Sequence, residues 1–392
     1  MPQLFVNIQH YIHNTKPGTK APRNRGVIII GGGLAGLVSA TLLARKDIPV
    51  TLIEKKSYPF HRVCGEYISN ETRPFLIREG LYPAELSPIA ITELELTSVN
   101  GKSAVIPLDM GGFGISRFSF DHFLHRKAVD AGVTFLLNCE AQAIRNTNDH
   151  FEIQVGDKVL TGDVVLGSFG KRSRMDHVMR RSFIDKRSPY AGIKYHIMTD
   201  HPAARIALHN SKNGYCGISR VEDGKVNLCY LTHRDNLRAH KSVRAMEEAV
   251  LFENPFIRNI FDNARFVSTK PEVINEISFV TKTPVHEHVL MIGDAAGMIT
   301  PLCGNGMAMA IHSAKVASEC VALFMKDEVD RAAMEIRYAD AWNKLFSRRL
   351  WIGRQVQRLF GSKGASNFAV GLARRSPGIT RRIVEATHGE EF

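Results

Sequence analysis

Near its start the chain runs four apolar residues, Val27 to Ile30, into a glycine cluster, and an apolar, helix-forming stretch follows at once. The pattern predicts a strand over 26–30, a turn, a helix over 34–46 and a second strand over 50–54. Both strands are almost wholly apolar, as a parallel sheet covered on two faces requires. A loop containing PFHRVCGEYIS and a helix near 70–79 come next. Residues 92–108 alternate on either side of Asn100-Gly101, the strongest short hairpin signal in the chain. The stretch 118–132 reads as an amphipathic helix with Phe120, Phe123, Leu124 and Ala128 on one face. Strands are expected around 133–137, 151–155 and 164–166.

From about 182 to 285 the texture changes. AGIKYHIMT, RIALHN, GYCGISR and KVNLCYLTH read as strands with turn residues between them, interrupted by a helical stretch over 243–261. This predicts a second unit, a mostly antiparallel sheet inserted in the first. HVLMIGDAAGMITPLCGNGMAMAIHSAKVA then returns the chain to the first unit as a buried strand, a loop and a helix. The expected division is an extension over 1–25, a discontinuous nucleotide-binding unit over 26–181 and 286–330, a substrate unit over 182–285, and a basic helical region over 331–392. The fold class is α/β, α+β overall: a Rossmann-like domain with a βαβ start, an inserted antiparallel sheet and a helical C-terminal region.

With 392 residues, 44% of them hydrophobic, the chain is long enough for more than one core. No unbroken apolar run reaches the roughly 18 residues of a membrane span. The first 25 residues carry Lys16, Lys20, Arg23 and Arg25 and no acid, which fits either a loose extension or a presequence. Six cysteines without CxxC pairs point to a reducing, cytoplasmic setting. The net charge of +12 is local: ten Lys or Arg and no acid lie between Ala341 and Val384. Without these and the N-terminal four, the chain is close to neutral.

Gly31, Gly33 and Gly36 satisfy G-x-G-x-x-G between a strand and a helix. The first glycine permits the tight turn, the second lets the backbone approach a diphosphate, and the third lets helix and strand pack closely. The diphosphate would lie on backbone N–H groups at the helix N-terminus. Glu54, 18 residues after Gly36, can accept hydrogen bonds from ribose hydroxyls and would repel a 2′-phosphate. FAD, rather than NAD, is indicated by the late strand ending in Gly293-Asp294. A carboxylate there suits a ribityl chain, and a helix beginning near Gly304, with Gly306 allowing close approach, would aim its positive end at the flavin ring.

These motifs, together with Arg117 in GISRFSFDHFL and with VVLGSFGKRS, fall in an order that resembles FAD-dependent oxidoreductases of the hydroxylase type. Within that group RVCGEYIS looks most like the geranylgeranyl reductase branch, which carries a Cys-Gly-acid sequence at the matching place. The resemblance covers about 26–322 and implies a FAD domain, a sheet-based substrate domain, and the isoalloxazine between them. Two departures stand out. The hydroxylase motif Gly-Ala-Asp-Gly-x-x-Ser-x-x-Arg is here Gly167-Ser168-Phe169-Gly170, with Ser173 and Asp176 following. Its Asp and Arg are missing, which argues against hydroxylase-style reduction by NAD(P)H; that or another electron donor would be transient. There is also no tryptophan pair like that of the flavin halogenases.

The resemblance assigns Cys64 as proton donor to a carbon while flavin N5 delivers hydride, and Glu66 as its reprotonating partner or a FAD contact. As a residue, Cys64 reads equally as a small buried hydrophobe. Arg117 is placed near the FAD or on the surface, and Arg62 near the diphosphate. The histidines show no metal spacing, so no metal is expected. From Trp342 to Phe360, Trp342, Leu345, Phe346, Val356, Leu359 and Phe360 recur at helical spacing among Lys344, Arg348, Arg349, Arg354 and Arg358. Such a helix either contacts an anionic membrane peripherally or packs on the FAD domain with a solvated basic face. Nucleic acid is not expected. The leading expectation is a FAD-dependent oxidoreductase acting on a hydrophobic prenyl, lipid or polyketide-like substrate. The rivals are a FAD monooxygenase and a non-catalytic prenyl-carrier-like protein.

Overall fold

Strand Val27–Ile30 lies inside a six-stranded sheet of the computed structural model, which describes residues 25–147, 150–186, 188–300, 302, 304–358 and 360–392. The sheet order is Val285–His286, Val289–Met291, Val164–Gly167, Val27–Ile30, Val50–Glu54, Thr134–Leu137, parallel throughout except for the first, antiparallel pair. The chain leaves Val27–Ile30 through the glycine turn into helix Leu34–Ala44, which is buried along nearly its whole length. That helix packs against Arg117–Asp130 and Gly306–Met325, and all three share one hydrophobic core with the sheet. The late helix Gly306–Met325 is long and apolar enough to cross a membrane by length and mean composition, although Lys315 and Glu319 interrupt its apolar run. Most of it is buried in this core instead.

A nine-stranded sheet forms the second layer. Its order is Arg265–Phe266, Tyr190–Met198, Val226–His233, Gly214–Arg220, Arg205–Ser211, Ile89–Thr97, Ser103–Gly114, Tyr67–Ser69, with Glu272–Ile277 also paired to Tyr190–Met198. The second sheet is therefore not confined to 182–285, as the sequence suggested. The hairpin around Asn100-Gly101 belongs to it, joined by a parallel ladder between Arg205–His209 and Glu93–Thr97. The reason is burial. A lone hairpin cannot cover its own apolar face, and Leu94, Leu96, Ala104 and Ile106 find Ile206, Leu208 and Leu231 in one cluster. A small antiparallel sheet, Ala141–Asn146, Phe151–Val155 and Lys158–Gly162, completes the strands of the first unit.

The basic C-terminal region forms helices Arg331–Gln357, Lys363–Arg375 and Pro377–Glu385. The apolar stripe of the first faces inward: Trp342, Phe346 and Leu350 are buried in the core, with the Trp342 ring against Gly297. Arg349, read as part of a solvated face, is buried and paired with Glu71. This stripe is thus not available to a membrane. Leu359, and Lys16, Lys20 and Arg23 of the extension, lie outside the described residues. The two shorter helices pack on the 89–114 hairpin.

Candidate functional site

A cavity of about 860 Å³ runs from the glycine turn, past Cys64 and Asp294, to the apolar face of the second sheet. It lies at the carboxyl ends of the parallel strands, where open α/β sheets bind their ligands.

The polar end is built from backbone. Gly31 sits at φ 106°, and a side chain on it would run into the backbone of Ser168 and Phe169. Gly36 likewise leaves no room beside the Gly31 carbonyl. A Cβ on Gly33 would meet only Arg117, at 3.9 Å, so this position is open toward the cavity. Helix Leu34–Ala44 starts at Gly33 with no side-chain cap, and helix Gly306–Met325 starts at Asn305 with none either. Two sets of first-turn N–H groups therefore reach the cavity without a capping side chain, each at the positive end of a helix.

Charged side chains brace this cradle. Glu54 is buried and accepts from Gly32 N–H at 2.9 Å, Lys56 N–H at 3.1 Å and Arg62 at 3.1 Å. A carboxylate has about four acceptor positions, so one remains for the cavity. Arg62 also donates to Asp121 at 3.0 Å and to the Gly32 carbonyl at 3.1 Å. It thus ties the turn to helix Arg117–Asp130 rather than standing free for a diphosphate. Arg117 binds Asp121 with two hydrogen bonds, at 2.6 and 2.7 Å. Burial opposes the charge on Arg117, but Asp121 outweighs it and holds the guanidinium protonated.

Asp294 lies on the opposite wall. Gly293, at φ 59°, packs 3.2 Å from the Ala35 side chain when given a Cβ, so glycine brings the late strand down onto the first helix. The Asp294 carboxylate makes no hydrogen bond or ion pair to a described residue. Burial raises its pKa, against the pull of Lys282, Arg117 and Lys171. Lys282 donates to the carbonyls of Lys171 and Asp294, the latter at 2.8 Å. Burial lowers both lysines to about 8. Gly304, at φ 65°, packs on the Tyr67 ring, and Gly306 begins the helix.

Between the two ends lies the loop carrying Cys64 and Glu66. Lys194 donates to the Arg62 carbonyl at 3.2 Å, Asn227 to the Cys64 carbonyl at 3.2 Å and Ser219 to the Gly65 carbonyl at 3.2 Å. Glu66 is fully buried at φ 54° and accepts from Lys194, from Arg117 N–H at 2.8 Å, and bonds His196 at 2.7 Å. Burial pushes its pKa up, but the Lys194 charge and the His196 hydrogen bond pull it down further, so it stays ionised. A carboxylate so engaged is an anchor. The expected reprotonating role of Glu66, or direct FAD contact, gives way to one of holding the loop on the sheet. Cys64 is half-buried on the cavity wall, its thiol pKa raised by burial against the pull of Arg117.

Several of these residues gave no motif. Asp121 had a signal, its i,i+4 spacing from Arg117. Lys194 and His196 had a weaker one, two polar residues on one face of an otherwise apolar strand. Asp176, standing where the hydroxylase motif has Arg, caps helix Arg174–Val178 and pairs with buried Arg181 at 2.9 Å.

The family model described as FAD binding domain matches residues 25–336. The chain belongs to this FAD-binding family. It is an FAD-dependent oxidoreductase with FAD as its cofactor. Digeranylgeranylglycerophospholipid reductase 2 of Methanopyrus kandleri is 22% identical over 349 residues, covering 85% of this chain and 86% of that one. The digeranylgeranylglycerophospholipid reductase of Methanosarcina acetivorans is 23% identical, covering 81% and 80%. Among solved structures, a flavin-dependent brominase matches with a TM-score of 0.75 at 18% identity, covering 92% of each chain. A geranylgeranyl bacteriochlorophyll reductase-like protein from Thermoplasma acidophilum matches at 0.68 and 17% identity, covering 92% and 98%. At these identities the structures share the fold.

Proposed function

We propose that this FAD-dependent oxidoreductase reduces carbon–carbon double bonds in the prenyl chain of a lipid-like substrate. The observation that carries this reading is the continuity of the cavity. A polar cradle of uncapped helix ends and the Asp294 carboxylate, unpartnered among the described residues, opens directly into an arm walled by Leu94, Leu96, Leu208, Leu231 and Phe360. The cradle fits a dinucleotide: first-turn N–H groups beside Gly33 would hold a diphosphate, Glu54 a ribose, and Asp294 the ribityl hydroxyls. Bound FAD supplies hydride at its N5.

The chain's own part is a proton and a shape. Burial keeps the Cys64 thiol protonated at neutral pH. It donates that proton to the carbon next to the one that receives hydride, so the double bond gains one hydride and one proton. Arg117, whose charge lowers the thiol pKa, stabilises the thiolate left behind until solvent restores the proton. The apolar arm orients a hydrocarbon chain and excludes water around the reacting carbons. The digeranylgeranylglycerophospholipid reductases among the relatives support a substrate of this class.

The test is anaerobic turnover of a panel of unsaturated prenyl lipids with chemically reduced enzyme, analysed by mass. Saturated product is expected, and Cys64→Ser should abolish it while the flavin spectrum stays normal. Unchanged turnover of that variant would return Cys64 to a packing role. The brominase shares the fold, and the rival monooxygenase reading has its own assay: absence of substrate-dependent oxygen uptake under turnover removes it, while an oxygen atom from O2 in the product would replace the reductase reading.

A further inference from the structure

We propose that helices Lys363–Arg375 and Pro377–Glu385 form a docking face for an anionic lipid bilayer, beneath which the lipid substrate enters the cavity. The proposal rests on the prenyl-lipid reading above. The inner faces of these helices are already cavity wall: Ala369, Leu372, Thr380, Ile383 and Val384 all line it. The outer faces are of another kind. Phe368 is 65% exposed and Ile379 50% exposed, large apolar side chains on two helices that pack against each other. Around Phe368 the outer stripe of its helix is Gly364, Gly371 and Arg375, and a side chain on either glycine would meet nothing within 4 Å. The phenyl ring thus projects with no bulky neighbour on its own stripe.

The charge is complementary to a bilayer. Arg374, Arg375 and Arg382 are exposed and make no ion pair with a described residue. Lys363 and Arg381 are exposed and paired, to Glu253 and to Asp109 and Glu385. The preceding helix adds exposed Lys344, Arg348 and Trp351, the last 57% exposed. No acid occurs between Ala341 and Val384. Cations interleaved with projecting aromatic and aliphatic side chains match an interface of anionic headgroups over acyl chains. An acidic protein surface would match the cations but leave Phe368 and Ile379 without a counterpart. A substrate already dissolved in that bilayer would pass the thickness of one helix to reach the apolar arm.

The test is co-sedimentation of the full-length flavoprotein with phosphatidylcholine vesicles, with and without phosphatidylglycerol. Binding is expected only with the anionic lipid, falling as salt rises. Arg374→Gln and Arg375→Gln should each weaken it about fivefold, and Phe368→Ser with Ile379→Ser should weaken it further. Turnover of detergent-dispersed substrate should be unchanged in all three variants. Absence of binding to anionic vesicles, or binding that survives the combined variant, overturns the proposal. A protein that binds anionic vesicles but yields no saturated product in detergent would keep this surface and discard the reductase reading. Product in detergent without vesicle binding would do the reverse.

Discussion

Two loops joined through Arg62 line the cavity, and they are held in opposite ways. The turn Gly31–Gly36 is shaped by what its residues lack: side chains would collide with Ser168 and with the turn itself. The loop 61–66 is shaped by what other residues bring to it. Lys194, Asn227 and Ser219 reach its carbonyls from the second sheet, and Lys194 and His196 hold the Glu66 carboxylate. The first loop is a local solution that any strand–turn–helix unit can adopt. The second exists only once the two sheets have met, so the geometry around Cys64 depends on contacts 128 residues and more away in sequence.

The comparison is sharpest at Lys194. Lys194→Ala removes one member of a buried ion pair and should cost about 3–5 kcal/mol of stability, measured by urea unfolding. Lys194→Met combined with Glu66→Gln should recover much of it, since no charge is then left alone. The same pair sets an acid limit. Folded Glu66 has a pKa below its usual 4.5. Its contribution is therefore full above that value and is lost as pH falls through the lower folded pKa. A plot of unfolding free energy against pH should drop there in the wild type and be flatter in the double variant.

Gly31→Ala tests the other loop. Left-handed strain and the collision with Ser168 should cost about 2–3 kcal/mol, read as flavin lost on gel filtration. Asp294→Ala should weaken FAD binding by about 1.5 kcal/mol, the low end for a hydrogen bond to a charged group, read by flavin fluorescence titration. Gly65→Ala provides the control. No atom lies within 4 Å of the added carbon, so stability should stay within about 0.5 kcal/mol of wild type. A large loss at Gly65 would mean that the second loop also depends on its glycine.

This contrast also explains what could be read from the sequence. The glycine turn, Glu54, Gly293-Asp294 and the hairpin at Asn100-Gly101 were legible because each is a local requirement on backbone or on a neighbouring element. Cys64 was singled out only through the resemblance, since nothing local in its segment requires it. Glu66 was misread because its partners, Lys194 and His196, are distant in sequence and only the folded sheet sets them beside it. The hairpin fell within the bounds of the first unit, not with the nine-stranded sheet it joins, because alternation reveals that one face must be covered, but not by which partner. The basic helix was similarly ambiguous: the stripe containing Trp342 and Phe346 could serve a core or a membrane, and the core took it.

Arg62 belongs to both loops. Its side chain grips Glu54 and the Gly32 carbonyl, while its own carbonyl receives Lys194. Through these contacts, occupancy of the nucleotide cradle should be linked to rigidity of the Cys64 segment, and such linkage runs in both directions. Cofactor loading should shield the segment from proteolysis, and whatever loosens the segment should make the cofactor easier to wash out.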